Sequence, residues 1–365
     1  MCIVLFTTAH PKYSLILIDN RDEYILRPTS RPGWWTHPTS GQRVLSARDL
    51  QRAEKGTWFG ITRDGLLAVL TNYRELSPRG DAEHPVHGIR SRGLVVNAWL
   101  GGLAAAKGGS SIKDGVHRLV ANRNVQGVGG FSMVGAKLRR KGGGIAIVSN
   151  RASHPDDVPL VDLDSRETWG LSNTVFDDPK EWPKVTAGKR LLDELVSEAG
   201  ATASKTDDDA SQQQEEQEKL IKALFSVLDV DTLPQMTEGQ GFEAYISQLK
   251  HSIFVPPIGD QKHREAMQKA MANGRSDWNV LNGDAKAVEE LLAEERPDAK
   301  THPEIMAAFE TGMYGTQRQT VLLVDLEGNV TFVERALWDA NGHAIPRGDG
   351  DVAFKFKIDG WDDES

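Results

Sequence analysis

Short apolar runs rich in β-forming residues recur along the chain in close pairs. Cys2–Thr8 and Ser14–Asn20 are separated by His10-Pro11-Lys12, which predicts a hairpin. Trp58–Thr62 and Leu66–Thr71 flank Arg63-Asp64-Gly65, and Asp-Gly between apolar runs is a strong hairpin signal. Phe131–Lys137 and Gly144–Ser149 flank a basic, glycine-rich turn, and Thr320–Asp325 and Asn329–Glu334 flank Glu327-Gly328. Val352–Ile358 alternates apolar and polar positions like an edge strand.

Helical spacing falls between these pairs. Leu94, Val95, Ala98 and Trp99 share one face after Ser91, read as the cap; Ile112, Val116, Leu119 and Val120 follow Ser111. Leu191, Leu192, Leu195, Val196 and Ala199 recur at helical spacing and Gly200 is expected to stop them. Leu220, Ile221, Leu224, Phe225 and Leu228 repeat the pattern, and Phe242, Tyr245, Ile246 and Leu249 follow. Two stretches read as additions to one domain spanning 1–365. Ala201–Glu218 is acidic and lacks aromatics, which predicts a mobile loop. Residues 256–303 read as a polar, irregular insertion with a helix at Ala285–Glu295. Antiparallel pairs with helices between them predict an α+β layered fold. The turns within the pairs are too short for parallel crossovers.

Composition narrows the function. Hydrophobic residues are 39% and charged residues 26%, a balance that supports a sizeable core without disulfides or metal. The net charge of -9 argues against nucleic acid as a partner. There is no apolar run long enough to span a bilayer, and Cys2–Phe6 is too short for a signal-peptide core. The expectation is a cytoplasmic protein with transient organelle-membrane association left open.

The chain has one cysteine, at position 2. Methionine aminopeptidases remove Met1 ahead of a small second residue. Cys2 would then carry a thiol and an α-amine of pKa about 8, nucleophile and base on one residue. Position alone favours an inert buried thiol at the start of a strand. Asn20-Arg21-Asp22-Glu23 ends the second strand and would lie near Cys2 if the first two strands pair. Arginine beside a thiol lowers its pKa and a carboxylate can orient an amine. The same run also suits a solvated turn. Asn72 and Asn173 each follow a strand and could donate to an oxyanion, or serve as turn residues. Trp34-Trp35 suits core packing and also a cover over an apolar ligand.

Several segments stand in a specific order: Met1-Cys2, Asn20-Arg21-Asp22-Glu23, Arg27-Pro28-Thr29, Trp34-Trp35, Gly56-Thr57-Trp58-Phe59-Gly60, Thr71-Asn72-Tyr73-Arg74, Ser91-Arg92-Gly93, Gly170-Leu171-Ser172-Asn173 and Trp182-Pro183-Lys184-Val185. This set resembles the NRDE family, also called the transport and Golgi organization protein 2 family. The resemblance covers Met1 to about Lys189 and resumes at Leu233–Val255 and Tyr314–Arg335. It implies a four-layer αββα fold like that of N-terminal-nucleophile (Ntn) hydrolases such as the choloylglycine and penicillin V acylase group. It implies Cys2 as nucleophile and base, Arg21 and Asp22 as its tuning pair, and Asn72 and Asn173 as oxyanion and substrate-orienting groups. Asn20, Glu23, Arg74, Trp34 and Arg318 become substrate-binding candidates.

The chain departs from that pattern twice. In the acylases the arginine and aspartate are a few residues apart, whereas Arg21 and Asp22 are adjacent. Adjacent side chains on a strand face opposite ways, so the working pair is Asn20 with Asp22 or Arg21 with Glu23. The family reads Tyr-Gly-Thr-Arg where this chain has Tyr314-Gly315-Thr316-Gln317-Arg318, leaving Arg318 to substitute. The resemblance also implies links to lipid and acyl-coenzyme A homeostasis, secretory-pathway organisation and haem trafficking, and visits to Golgi or mitochondria. Two functions follow: a cysteine hydrolase of an amide or acyl thioester, or a carrier of haem or a lipid-like ligand in the same cleft. No cofactor is required; haem enters as a ligand.

Overall fold

The computed structural model describes residues 1–52, 54–72, 91–102, 111–121, 128–176, 181–203, 210–235, 241–277 and 312–363. Among these residues the strands form two antiparallel sheets. The first runs β10 (Thr168–Leu171), β1 (Ile3–Thr7), β2 (Tyr13–Tyr24), β11 (Tyr314–Asp325), β12 (Asn329–Ala336), β13 (Asp351–Lys357). The second runs β3 (Gly33–Thr36), β4 (Arg43–Ser46), β5 (Phe59–Thr62), β6 (Leu66–Asn72), β7 (Phe131–Lys137), β8 (Gly144–Ser149), β9 (Leu160–Val161). The four expected hairpins are β1–β2, β5–β6, β7–β8 and β11–β12, and β13 is an edge strand as its alternation predicts.

Alternation along β1 and β2 builds the layers. Val4, Phe6, Leu15 and Leu17 meet Leu45, Ile61, Leu67 and Val69 of the second sheet. Ile3, Leu5, Ile16 and Ile18 face the other way, onto Leu192, Val196, Leu224 and Phe225 of α3 (Pro183–Ala203) and α4 (Ala210–Leu228). The outer face of the second sheet, with Ala68, Leu70 and Met133, packs on Val95, Trp99 and Leu119 of α1 (Gly93–Leu100) and α2 (Ile112–Ala121). The order is helices, sheet, sheet, helices: the expected four-layer αββα arrangement. Each buried Leu or Ile of this sandwich contributes about 1.5–3 kcal/mol.

Several expectations are corrected. Gly200 does not end α3, which continues to Ala203. The stretch expected to be a mobile loop is helix through 203 and again from Ala210; 204–209 lie outside the described residues. Its Glu, Gln and Lys content, read as loop-forming, instead makes a helical surface. Lys219 pairs with Glu215 at 2.7 Å, Gln214 with Glu218 at 3.1 Å, and Lys12 ties Glu216 to the first hairpin at 2.8 Å. In the supposed irregular insertion, Gln261–Met271 forms α6, capped by Asp260; α5 (Phe242–Ile246) precedes it. The helix expected at Ala285–Glu295 lies outside the described residues. Helix α1 starts at Gly93 with Arg92, not Ser91, in the cap position, although the Ser91 hydroxyl accepts from Gly93 N at 3.3 Å. Among the described residues no helix is long and apolar enough to cross a membrane.

Candidate active site

The β1–β2 register places Ile3 opposite Asn20, so residues 1 and 2 extend beside Arg21, Asp22 and Glu23. Continued alternation splits that run. Asn20 and Asp22 face the helix layer; Asp19, Arg21 and Glu23 face the interval between the sheets. Asn20 donates its amide to the carbonyls of Leu228 (2.8 Å) and Ile253 (2.9 Å), which locks β2 to the end of α4. Asp22 accepts the amine of Met1 on Oδ2 at 2.8 Å and the Thr316 hydroxyl on Oδ1 at 2.8 Å. Arg21 donates to Thr29 (3.2 Å) and Gln317 (2.9 Å) and stands 4.7 Å over the Trp58 ring. Glu23 pairs with Arg27 at 3.3 Å. The adjacent Arg21 and Asp22 are therefore divided between two faces, as strand geometry requires.

Cys2 is 2% exposed and its thiol donates to the Asp22 carbonyl at 3.7 Å. Burial, with Asp22 adding to it, pushes the thiol up to about 12, against the opposing charge of the N-terminal amine. Burial pulls the Met1 amine below its ordinary range, against Asp22. That amine also donates to the Tyr314 hydroxyl at 2.7 Å, and this hydroxyl donates to the Asp22 carbonyl at 3.2 Å. Burial holds Tyr314 well above the ordinary phenol range.

The far side of Cys2 is built by β10 and α3. Ser172 donates its hydroxyl to the Cys2 carbonyl at 2.6 Å, and Thr71 at the end of β6 donates to the Ser172 carbonyl at 2.8 Å. Asn173 donates its amide to the carbonyl of Asn72. Both asparagines thus lie at the Cys2 end, but Asn72 joins through its main chain and the Asn173 amide is engaged with it. Lys184 is fully buried and donates to the carbonyls of Met1 and of Cys2, the latter at 3.3 Å. Burial lowers its ammonium to about 8, against Asp22 and Cys2. It gets there because α3 lies close on the first sheet. A Cβ on Gly170 would stand 2.6 Å from Val185, and one on Gly188 2.6 Å from Leu5.

The chain belongs to the Transport and Golgi organisation 2 family. That family's model matches residues 1–339. The chain is 27% identical over 349 residues to the human Transport and Golgi organization protein 2 homolog, covering 93% of this chain and 94% of the relative. It is 28% identical over 363 residues to the bovine homolog, covering 94% and 98%. Among solved structures it is similar to a conjugated bile acid hydrolase variant from Clostridium perfringens (12% identity, TM-score 0.34, 98% of this chain and 97% of the other). The penicillin V acylase from Agrobacterium tumefaciens is another (12%, 0.34, 97% and 86%).

Within this family member the expected site residues divide. Cys2, Asp22, Asn72 and Asn173 meet at one end of the sandwich, with Arg21 and Glu23 on the adjoining inter-sheet face. Trp34 does not join them. Its ring packs on Phe356 at 5.0 Å, edge to face, at the level of Val330, Val324 and Leu15. Leu15 is five residues from Asn20 on β2, about 16 Å at the usual strand rise. Arg74 lies outside the described residues. Arg318, left to substitute for the family arginine, is engaged with Glu334 and the Trp338 carbonyl. A bulge at Gln317 sets Arg318 opposite Arg21 in register, and Arg318 pairs with Glu334 at 3.8 Å. Gln317 instead bridges Arg21 to the carbonyls of Ile25 and Arg27.

Sequence reasoning missed Lys184, Ser172, Tyr314, Thr316 and Arg92. Burial lowers Arg92 to about 10, against Glu23, and the charge of Cys2 acts on it as well. A signal existed for Tyr314 and Thr316: they alternate about Gly315 and so share a strand face. Lys184, in Trp182-Pro183-Lys184-Val185, carries no comparable signal in the sequence.

Proposed function

We propose that this chain is a hydrolase whose nucleophile is Cys2, acting on an amide or an acyl thioester. The supporting observation is the single enclosure shared by the chain's amine and the Cys2 thiol, with the Asp22 carboxylate on the amine and the Asp22 carbonyl on the thiol. Removal of Met1 places an α-amine on Cys2 itself. The amine takes the thiol proton, and sulfur attacks the substrate carbonyl carbon, forming a C–S bond. The leaving amine or thiol departs with that proton. Water then gives a proton to the amine and attacks the acyl group; the C–S bond breaks, the acid leaves, and the sulfur regains its proton. The Asn173 amide stands at this end on the Asn72 carbonyl and would have to turn from it to meet a developing oxyanion.

Intact mass after incubation with a panel of acyl thioesters and amides tests this. The expected result is loss of Met1 and an acyl adduct on wild-type protein that Cys2→Ala lacks. No adduct and no turnover across the panel would overturn it. The names of the human and bovine relatives support a role in transport and Golgi organisation; a cytoplasmic chain in transient contact with organelle membranes is part of the same proposal. Haem would need an axial ligand at an open face. The Cys2 sulfur is enclosed, and the buried His10, His37 and His263 stand against Tyr13, Trp35 and Asp260. With Met1 in place, neither the Cys2 sulfur nor these three histidines presents an open axial ligand.

A further inference from the structure

Lys184 donates to the carbonyl oxygens of Met1 and Cys2, the two carbonyls on either side of the Cys2 nitrogen. A lysine in the first turn of α3 faces the positive end of the helix dipole, an unfavourable place for a cation. It is also fully buried. The nearby carboxylate is Asp22, already shared between the Met1 amine and Thr316. The titratable groups facing this spot are Asp22 from β2, the Cys2 thiol, Tyr314 from β11 and Lys184 from α3; Arg21, Arg92 and Asp19 act on it through the thiol.

We propose that Lys184 is a positioning residue that holds the Cys2 α-amine in its unprotonated form, ready to take the thiol proton. One buried carboxylate compensates one ammonium group, and two compete for it. Lys184 retains the Cys2 carbonyl as an acceptor after Met1 leaves, so the α-amine is the group that gives its proton up. In the structure as it stands burial lowers the Met1 amine most, against Asp22, and the Lys184 charge adds in the same sense. The purpose of this device rests on the proposed hydrolase function; its test does not.

Cys2 is the single cysteine of the chain, so nitrogen-labelled cysteine marks one nitrogen. Its NMR shift is followed against pH in full-length protein, with Met1 removal checked by mass, for wild type, Lys184→Met and Lys184→Arg. The expected result is an amine midpoint higher in Lys184→Met by on the order of one pH unit, with the wild-type midpoint kept in Lys184→Arg. Equal midpoints in wild type and Lys184→Met overturn the proposal, as does an amide-type signal in wild type from retained Met1. Should Lys184→Met not fold, Lys184→Gln is read at the same nitrogen, and an unshifted midpoint there overturns it too. A shifted midpoint with no acyl adduct on Cys2 leaves the role of Lys184 standing and removes the hydrolase function.

Discussion

Thr316 donates its hydroxyl to Asp22 at 2.8 Å across the β2–β11 pair, and the other oxygen of that carboxylate accepts the N-terminal amine. Thr316 in turn accepts from the Val255 amide at 2.9 Å. Asp22 is thereby held by both neighbours of its strand.

Replacing Asp22 tests that arrangement. Asp22→Ala leaves a buried amine without its counter-charge and should cost about 3–5 kcal/mol in urea unfolding. Asp22→Asn keeps a partner for Thr316 and should cost less, about 1–3 kcal/mol. Both should abolish acylation of Cys2 by a reactive thioester, read by intact mass. Full acylation in folded Asp22→Asn would separate Asp22 from the chemistry.

Asp19 makes stability depend on pH. It is 4% exposed, and burial raises its carboxyl to about 8, with Arg21 opposing. Its folded pKa lies above the unfolded value. The stability it contributes is therefore fully present below about pH 4 and is lost as pH rises towards about 8. The loss across that interval is on the order of 5 kcal/mol. Asp19→Asn, which mimics the protonated form, should flatten the decline. A wild-type and mutant pair with parallel stability curves from pH 4 to 8 would exclude this role.

Trp34 should matter to stability and not to chemistry. Trp34→Ala removes the contact with Phe356 at the far end of the sandwich. The expected loss is about 2 kcal/mol by denaturation, with the acylation rate of folded protein unchanged. A selective fall in that rate would return Trp34 to the substrate site.

Gly188 couples the helix layer to the site. A leucine there would collide with Leu5, whose side chain already lies 2.6 Å from an added Cβ. Gly188→Leu should destabilise by about 1–3 kcal/mol and move α3, and Lys184 with it, off the Cys2 carbonyl. Cys2 acylation should fall more than in a core variant of equal stability loss remote from α3; equal rates would show that the seating of α3 is immaterial.

Much of the frame is legible in the chain. Apolar alternation over Cys2–Thr8 and Ser14–Asn20, with a turn between them, is enough to pair β1 with β2. That register brings Cys2 to the Asn20–Glu23 run. The stretch from 201 was misread because acidic, glutamine-rich composition serves a solvated helix surface as well as a loop. The i,i+4 pairs and the apolar half after Leu220 decide for helix.

Local pattern thus determined the hairpins, the amphipathic faces and the single cysteine at position 2, since each depends on neighbours within a few residues. Alternation also determined that Arg21 and Asp22 part company. Only the tertiary structure decided what each then meets. Lys184 and Tyr314 reach the first residue from 183 and 313 positions away, and the bulge at Gln317 carries Arg318 to Glu334. Such meetings depend on how two sheets and a helix layer stack and on glycines that let α3 lie close. Packing of that range leaves no periodic trace along a single chain.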